Sequence, residues 1–130
     1  MDRQMMVRNV KAMAGVDPRL IALIWFSSVE FEKTQGWTAV VVEGVRTRLD
    51  QQRYLAQGKS ATMDSKHLTG HAVDVALFDD RGAVTWDFAL YRDFADCVKS
   101  NAEYFGFAVT WGGDWPKLRD GPHFEITPLS

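Results

Sequence analysis

Residues 65–78 read SKHLTGHAVDVALF, a polar segment that runs directly into an apolar one. The apolar half, residues 72–78, is rich in aliphatic and β-branched residues and is predicted to form a buried strand. The polar residues 59–71 have no clear period and are expected to form a loop. Asp74 interrupts the apolar strand, where a carboxylate needs hydrogen-bond donors, a cation or a metal ion to offset its burial. Taken alone, such an Asp is usually bonded to backbone N–H groups or to an arginine.

The rest of the chain alternates between helical and strand-like patterns. Asp17 followed by Pro18 is a typical helix start, and Gly36 is a typical helix end. Asp87 and Gly106 frame a second long helix in the same way. The patterns predict helices at residues 2–13, 18–34, 49–57 and 88–104, and strands at residues 37–42, 72–78, 107–111 and 123–126. This order indicates one α+β domain over residues 1–130, in which helices cover one face of a small, mostly antiparallel sheet.

The composition excludes several classes of protein. A chain of 130 residues with 46% hydrophobic and 25% charged residues is typical of a soluble globular domain. The net charge of -2 comes from interspersed signs, so we expect no basic face for nucleic acid. The longest apolar run, residues 20–26, is too short to span a bilayer, so no membrane insertion is expected. The N-terminus lacks the apolar core of a signal peptide, which predicts synthesis in the cytoplasm.

The chain has three histidines, and two of them lie just before Asp74. His67 and His71 belong to the polar segment, whereas His123 follows a Gly-Pro turn in the sequence DGPHFEI. A single histidine is more often structural or exposed than a metal ligand. Two histidines and one carboxylate, with a fourth position left to water, nevertheless form a normal catalytic zinc set. The spacing alone does not identify the set, because the ligands would come from separate strands.

Four segments resemble zinc peptidases of the D-alanyl-D-alanine carboxypeptidase superfamily. Residues 65–74, SKHLTGHAVD, are similar to the S-x-H-x-x-G-x-A-x-D signature of that superfamily. Residues 120–123, DGPH, resemble its acidic residue three positions before the last histidine ligand. Residues 44–51, GVRTRLDQ, are similar to its G-x-R-T-x-x-x-Q helix entry, and residues 111–115, WGGDW, resemble a segment of its phage endolysin branch, the L-alanyl-D-glutamate peptidases. The resemblance covers roughly residues 37–126 in the same order.

The resemblance implies a role for each matched residue. His67, Asp74 and His123 would be the ligands of a Zn²⁺ ion. Asp120 would be the general base, in the form that the endolysin branch uses where many other relatives have Glu. Arg46 would stabilise the developing oxyanion or hold a carboxylate of the substrate, a task that suits a fixed guanidinium.

Other residues of the matched segments are weaker candidates. Five of them are predicted to contact the substrate or to orient the ligands, namely Ser65, Gln51, Trp111, Asp114 and Trp115. His71 occupies a variable position of the signature, and we expect it to face outward.

The function that the resemblance implies is hydrolysis of the L-alanyl-D-glutamate bond in peptidoglycan stem peptides by a phage-type endolysin. One alternative is a D-alanyl-D-alanine carboxypeptidase or dipeptidase, and another is a non-catalytic, zinc-containing peptidoglycan-binding domain. Asp120 argues against the second alternative, because a structural site needs no base and usually has four protein ligands. We expect a monomer that reaches the cell wall after release from the cytoplasm or as part of the virion.

Overall fold

The structure, a computed structural model, describes residues 2–59 and 65–127. Over these residues the helices are α1 (Arg3–Ala12), α2 (Pro18–Gln35), α3 (Arg48–Ala56) and α4 (Phe88–Phe105). The strands are β1 (Thr38–Glu43), β2 (Ala72–Phe78), β3 (Val84–Thr85), β4 (Val109–Trp111) and β5 (His123–Ile126). Short 3₁₀ turns occupy Lys66–Thr69 and Gly112–Asp114. Among the helices of these described ranges, none has the length and apolar character that crossing a membrane would require.

The two long helices begin and end where their capping residues predict. The carboxylate of Asp17 accepts a hydrogen bond from the N–H of Arg19 at the start of α2, and Asp87 does the same for Ala89 at the start of α4. Gly36 ends α2 in the left-handed conformation at φ 77°, which a residue with a side chain rarely adopts.

The strands form one antiparallel sheet in the order β1-β2-β5-β4, and β3 pairs with the end of β2. In the register of β2 and β5, Asp74 lies directly opposite His123. Helices α2 and α4 pack against each other and against the sheet, which confirms the predicted α+β architecture.

Alternation along β2 decides where Asp74 lies. Val73, Val75 and Leu77 belong to the hydrophobic core together with residues of α2 and α4. Because successive side chains of a strand point to opposite faces, Asp74 lies on the face away from this core. The otherwise apolar strand β2 therefore carries a polar residue on the face opposite the core.

Helix α1 covers the edge of the sheet. Its buried Asn9 accepts a hydrogen bond from the backbone N–H of Val41 in β1, at 2.8 Å. The outer edge of β1 is thus capped at this position by a side chain, which removes a donor that could pair with another strand.

Two local features differ from the sequence prediction. The predicted loop at residues 59–71 contains the 3₁₀ turn Lys66–Thr69, which Ser65 begins and Gly70 ends, while residues 60–64 lie outside the described residues. The short strand β3 was not predicted, because two residues carry no periodicity of their own and pair only through contact with β2.

Candidate metal centre and active site

Three side chains bring one ligand atom each to the same point on the sheet. The Nε2 atom of His67 lies 3.3 Å from Oδ1 of Asp74 and 3.2 Å from Nδ1 of His123. The third side of this triangle, between His123 Nδ1 and Asp74 Oδ1, is 3.4 Å. A tetrahedral ion with ligands at about 2.0–2.1 Å holds neighbouring ligand atoms about 3.3–3.4 Å apart. The structure therefore brings the predicted ligands together in a group that could hold a metal ion.

The carboxylate of Asp74 gives a test of this fit. Its Oδ1 atom is buried and has no aligned hydrogen-bond partner among the described residues. Burial by itself would raise the pKa of Asp74, but interactions with His123 and His67 outweigh it and lower the pKa well below its ordinary value. The group is therefore an anion whose inner oxygen faces two ring nitrogens, which a cation at their centre would satisfy.

His67 is oriented from the side away from the centre. Its Nδ1 atom lies 2.9 Å from the carbonyl oxygen of Gly44, and since a carbonyl only accepts, Nδ1 carries the proton and Nε2 keeps its lone pair. The turn is fixed by Ser65, whose hydroxyl accepts a hydrogen bond from the N–H of His67. The N–H of Arg46 donates to the carbonyl of His67 at 2.9 Å and holds the turn against the loop before α3.

His123 is oriented in the opposite sense. Its Nε2 atom lies 2.9 Å from Oε1 of Glu125, so that Nδ1 faces the centre. Lys66 pairs with the other oxygen of Glu125 at 2.7 Å. The sequence analysis gave neither Glu125 nor Lys66 a role in orienting the metal ligands, although Glu125 follows His123 by two residues and therefore lies on the same face of β5.

The charges around His123 shift its titration. Burial would lower the pKa of His123, but its contacts with Asp74 and Glu125 outweigh burial and raise the pKa to about 9. Burial would likewise raise the pKa of Glu125, but His123 and Lys66 lower it to about 2. Both pKa shifts apply to the metal-free protein.

Arg46 is fixed beside the centre by several partners. Its Nε atom lies 2.7 Å from Glu43, and its Nη1 donates to the buried Gln51 at 2.7 Å. The ring of Tyr54 lies under the guanidinium, 4.4 Å from ring centroid to carbon. The remaining nitrogen, Nη2, is 3.9 Å from Oδ2 of Asp74. The predicted candidate Gln51 thus supports Arg46 from within the protein.

Asp120 lies in the loop that leads into β5. Its backbone N–H donates to the carbonyl of Gly112 at 3.1 Å, which ties the two loops of the site together. Burial, and after it the negative charge of Asp74, raises the pKa of Asp120. The charges of His123, His67 and Arg46 act on Asp120 in the opposite direction, so its carboxylate shares the electrostatic environment of the metal group.

The aromatic segment at residues 111–115 has mixed surroundings. Trp111 is 2% exposed and donates its indole N–H to the carbonyl of Gly121 at 2.7 Å. Asp114 is exposed and pairs with Lys99 at 2.6 Å. Trp115 is half-buried and packs on His123 with ring centroids 4.8 Å apart. Of the three, Trp115 is in contact with a member of the metal group.

His71 is separate from the metal group. Its Nδ1 atom lies 2.6 Å from the hydroxyl of Thr69, and its Nε2 atom lies 3.7 Å from the carboxylate of Asp17. Its side chain is 20% exposed, so it contacts the start of α2 as well as solvent.

Comparisons with known proteins identify similar peptidases. A family model described as phage L-alanyl-D-glutamate peptidase matches residues 1–127. The chain is 32% identical over 99 residues to the L-alanyl-D-glutamate peptidase of Listeria phage A118, in an alignment that covers 75% of this chain and 34% of that protein. It is 30% identical over 109 residues to the peptidoglycan L-alanyl-D-glutamate endopeptidase CwlK of Bacillus subtilis strain 168, with 72% of this chain and 64% of that protein covered.

A solved structure shows the same fold. The crystal structure of the Serratia marcescens L-Ala D-Glu endopeptidase ChiX superposes with a TM-score of 0.81 at 37% sequence identity, covering 92% of this chain and 86% of that one. The chain spans about a third of the phage A118 protein and under two thirds of CwlK. From the match over residues 1–127, this chain belongs to the phage L-alanyl-D-glutamate peptidase family.

Proposed function

We propose that this chain is a zinc peptidase that hydrolyses the L-alanyl-D-glutamate bond of peptidoglycan stem peptides. The observation that carries the proposal is the triangle of ligand atoms from His67, Asp74 and His123, with sides of 3.2–3.4 Å. Two imidazoles and one carboxylate suit Zn²⁺ and leave a coordination position open, as a catalytic zinc site requires. The names of the relatives indicate the L-alanyl-D-glutamate bond as the one cut, and the name of CwlK indicates peptidoglycan as the polymer.

The metal and the chain have separate tasks in the reaction. A zinc ion bound at this site would lower the pKa of a water molecule to about 7 and polarise the carbonyl of the scissile bond. Asp120 accepts a proton from the attacking water while the oxygen of that water bonds to the carbonyl carbon of L-alanine. The same carboxyl then donates that proton to the nitrogen of D-glutamate as the C–N bond breaks.

Arg46 stabilises the charge that develops on the carbonyl oxygen. Its guanidinium is held by Glu43 and Gln51, so it does not need to reorganise when the charge appears. Trp115, beside His123, is the candidate with the best position to pack against the peptide. Ser65, Trp111 and Asp114 remain predicted contributors, with Ser65 acting on the turn that carries His67.

The non-catalytic alternative is less well supported. Structural zinc sites usually have four protein ligands, and the group found among the described residues has three. We therefore place the action of this chain on the bacterial cell wall as an enzyme. Release from the cytoplasm or carriage in the virion, and a monomeric state, stay predictions.

The proposal is tested by clearing of purified sacculi, followed as a loss of turbidity. Metal-free protein should not clear them, and one equivalent of Zn²⁺ should restore clearing. His67→Asn should lose both zinc and activity, whereas His71→Asn, the same substitution just after the turn that Gly70 ends, should keep both. Full activity in metal-free protein would contradict the proposal.

A further inference from the structure

A chain of polar contacts behind His123 has no part in the reaction described above. One carboxylate oxygen of Glu125 lies 2.9 Å from Nε2 of His123, and the other lies 2.7 Å from Nζ of Lys66. Lys66 directly precedes His67 and belongs to the same 3₁₀ turn. These polar contacts therefore connect strand β5, which carries His123, to the turn that carries His67.

We infer that Glu125 is a positioning residue that determines which nitrogen of His123 faces the metal, and that Lys66 holds Glu125 in place for this task. The inference rests on the proposed metal site of His67, Asp74 and His123. It concerns two residues outside the proposed set of three ligands.

The tautomer of His123 gives the first step. A neutral imidazole has one protonated nitrogen and one nitrogen with a lone pair. A hydrogen-bond acceptor beside one nitrogen favours the tautomer that carries the proton there. A carboxylate only accepts, so Glu125 requires the proton on Nε2. The lone pair then lies on Nδ1, the atom that is 3.2 Å from His67 and 3.4 Å from Asp74.

The contrast with His67 gives the second step. His67 faces the centre through Nε2, because its Nδ1 donates to the backbone carbonyl of Gly44. A backbone carbonyl is fixed by the fold, whereas the side chain of Glu125 has rotatable bonds of its own. Of the two histidines, His123 is therefore the one whose ring is oriented by a side chain rather than by a backbone carbonyl.

Lys66 supplies the restraint that Glu125 needs. The side chain of Glu125 is 14% exposed, so rotation away from His123 would leave a carboxylate poorly solvated. The ammonium of Lys66 binds the oxygen that does not face His123 and so holds the carboxylate with one oxygen on each partner. Because the side chain of Lys66 is 41% exposed, its replacement removes this restraint without opening a cavity in the core.

Zinc affinity of the complete chain, measured by competition with a chelator, tests the inference. Glu125→Ala should weaken zinc binding by about 10–100-fold, the range for losing a partner that orients a ligand. Glu125→Gln, which keeps the shape of the side chain, should lower the zinc affinity less than Glu125→Ala does. Lys66→Met should lower the zinc affinity as well. The double variant Lys66→Met/Glu125→Gln should bind no more weakly than Glu125→Gln alone, because Lys66 acts through the carboxylate. Glu103→Gln and Lys33→Met, at exposed helical positions, are the matched controls and should bind as the wild type does.

A spectroscopic readout separates positioning from a loss of folding. In zinc-loaded wild-type protein, a ¹H–¹⁵N correlation spectrum should show the Nε2–H group of His123. In Glu125→Ala this signal should broaden or disappear, because the proton exchanges with water. Circular dichroism at the temperature of the binding measurement should show that the metal-free variants remain folded, so that weaker zinc binding is not a loss of the fold. If both Glu125 variants bind zinc as tightly as the wild type, this inference is wrong and the metal site stands. If the wild type binds no zinc, the proposed metal site and this inference both fail.

Discussion

The guanidinium of Arg46 lies beside Asp74, with 3.9 Å between Nη2 of Arg46 and Oδ2 of Asp74, the carboxylate oxygen that is not part of the ligand triangle. Glu43 and Gln51 hold the two other nitrogens of the fork, each at 2.7 Å. Such a group is oriented before the substrate arrives, which is the condition under which a fixed charge contributes most to a transition state. A lysine at this position could not reproduce the fork, because its ammonium is a single point of charge.

Arg46→Lys should therefore lower kcat by about 100-fold, a typical loss when one stabilising donor of an oxyanion is removed. Zinc content should not change, because Arg46 is not a ligand. Arg48→Lys, an exposed substitution at the first residue of α3, is the matched control and should keep normal turnover. Steady-state kinetics on a soluble muropeptide measure both. Normal turnover of Arg46→Lys would exclude a role that depends on the guanidinium.

Asp120→Asn should remove the general base while leaving the fold and the metal in place. We expect kcat to fall by at least about 100-fold, in the usual range for the loss of acid–base catalysis. The amide has nearly the shape of the carboxylate, so the melting temperature and the zinc content should stay at wild-type values. Asp80→Asn, in the exposed turn after β2, controls for the loss of a negative charge. Turnover close to wild type in Asp120→Asn would mean that another group is the base.

Zinc binding should strengthen as the pH rises from 6.5 to about 9. In the metal-free protein, contacts with Asp74 and Glu125 outweigh burial and raise the pKa of His123 from 6.5 to about 9. Zinc needs the unprotonated nitrogen, so protons compete with it over this window and are released when it binds. Calorimetry in two buffers with different ionisation enthalpies measures the released protons. An affinity that is constant across this window would contradict the expectation.

The same shift predicts how the metal-free fold responds to pH. A histidine whose pKa is raised by folding contributes stability that is complete below its unfolded pKa and is lost as the pH rises through its folded pKa. For His123 these limits are pH 6.5 and about 9. The melting temperature of metal-free protein should therefore decrease over this window, and saturating zinc should remove the decrease.

Gly112→Ala should disturb the loop that carries Asp120. A Cβ atom at position 112 would lie 2.5 Å from the carbonyl oxygen of Asp120 and 2.9 Å from Cβ of His123, closer than real contacts allow. We expect a loss of about 1–3 kcal/mol in the free energy of unfolding, the usual cost of overpacking, together with reduced activity. Gly121→Ala is the matched control, because its Cβ would meet ordinary contacts of 3.4–3.6 Å. Equal stability of the two variants in denaturant titrations would contradict the packing described here.

Local signals explain why so much of the fold is predictable. The sequence predicts α2 and α4 to within one residue at each end, because Asp, Pro and Gly at helix ends act on neighbouring backbone groups. The strand around Asp74 is predicted at residues 72–78, as observed, because its apolar run is bounded by polar segments. The predicted ligands follow from a motif, and the structure brings them together.

Features that depend on distant partners could not be predicted. The 3₁₀ turn of His67 is held by the carbonyl of Gly44 and the N–H of Arg46, more than twenty residues earlier in the chain. The place of Glu125 depends on a lysine that the register of β2 and β5 brings beside it. Neither relationship leaves a periodic pattern in the sequence.

The most direct test of the proposed activity is the identity of the new amino terminus after purified sacculi are digested with zinc-loaded protein. Labelling of the released amines, followed by mass spectrometry of the fragments, identifies the bond that was cut. We expect D-glutamate as the new amino-terminal residue, with L-alanine left on the muramyl group, and release by Asp120→Asn that is slower by at least about 100-fold. Release of free D-alanine with the L-alanyl-D-glutamate bond intact would contradict the proposed specificity, and the absence of any new amine would contradict the proposed enzyme.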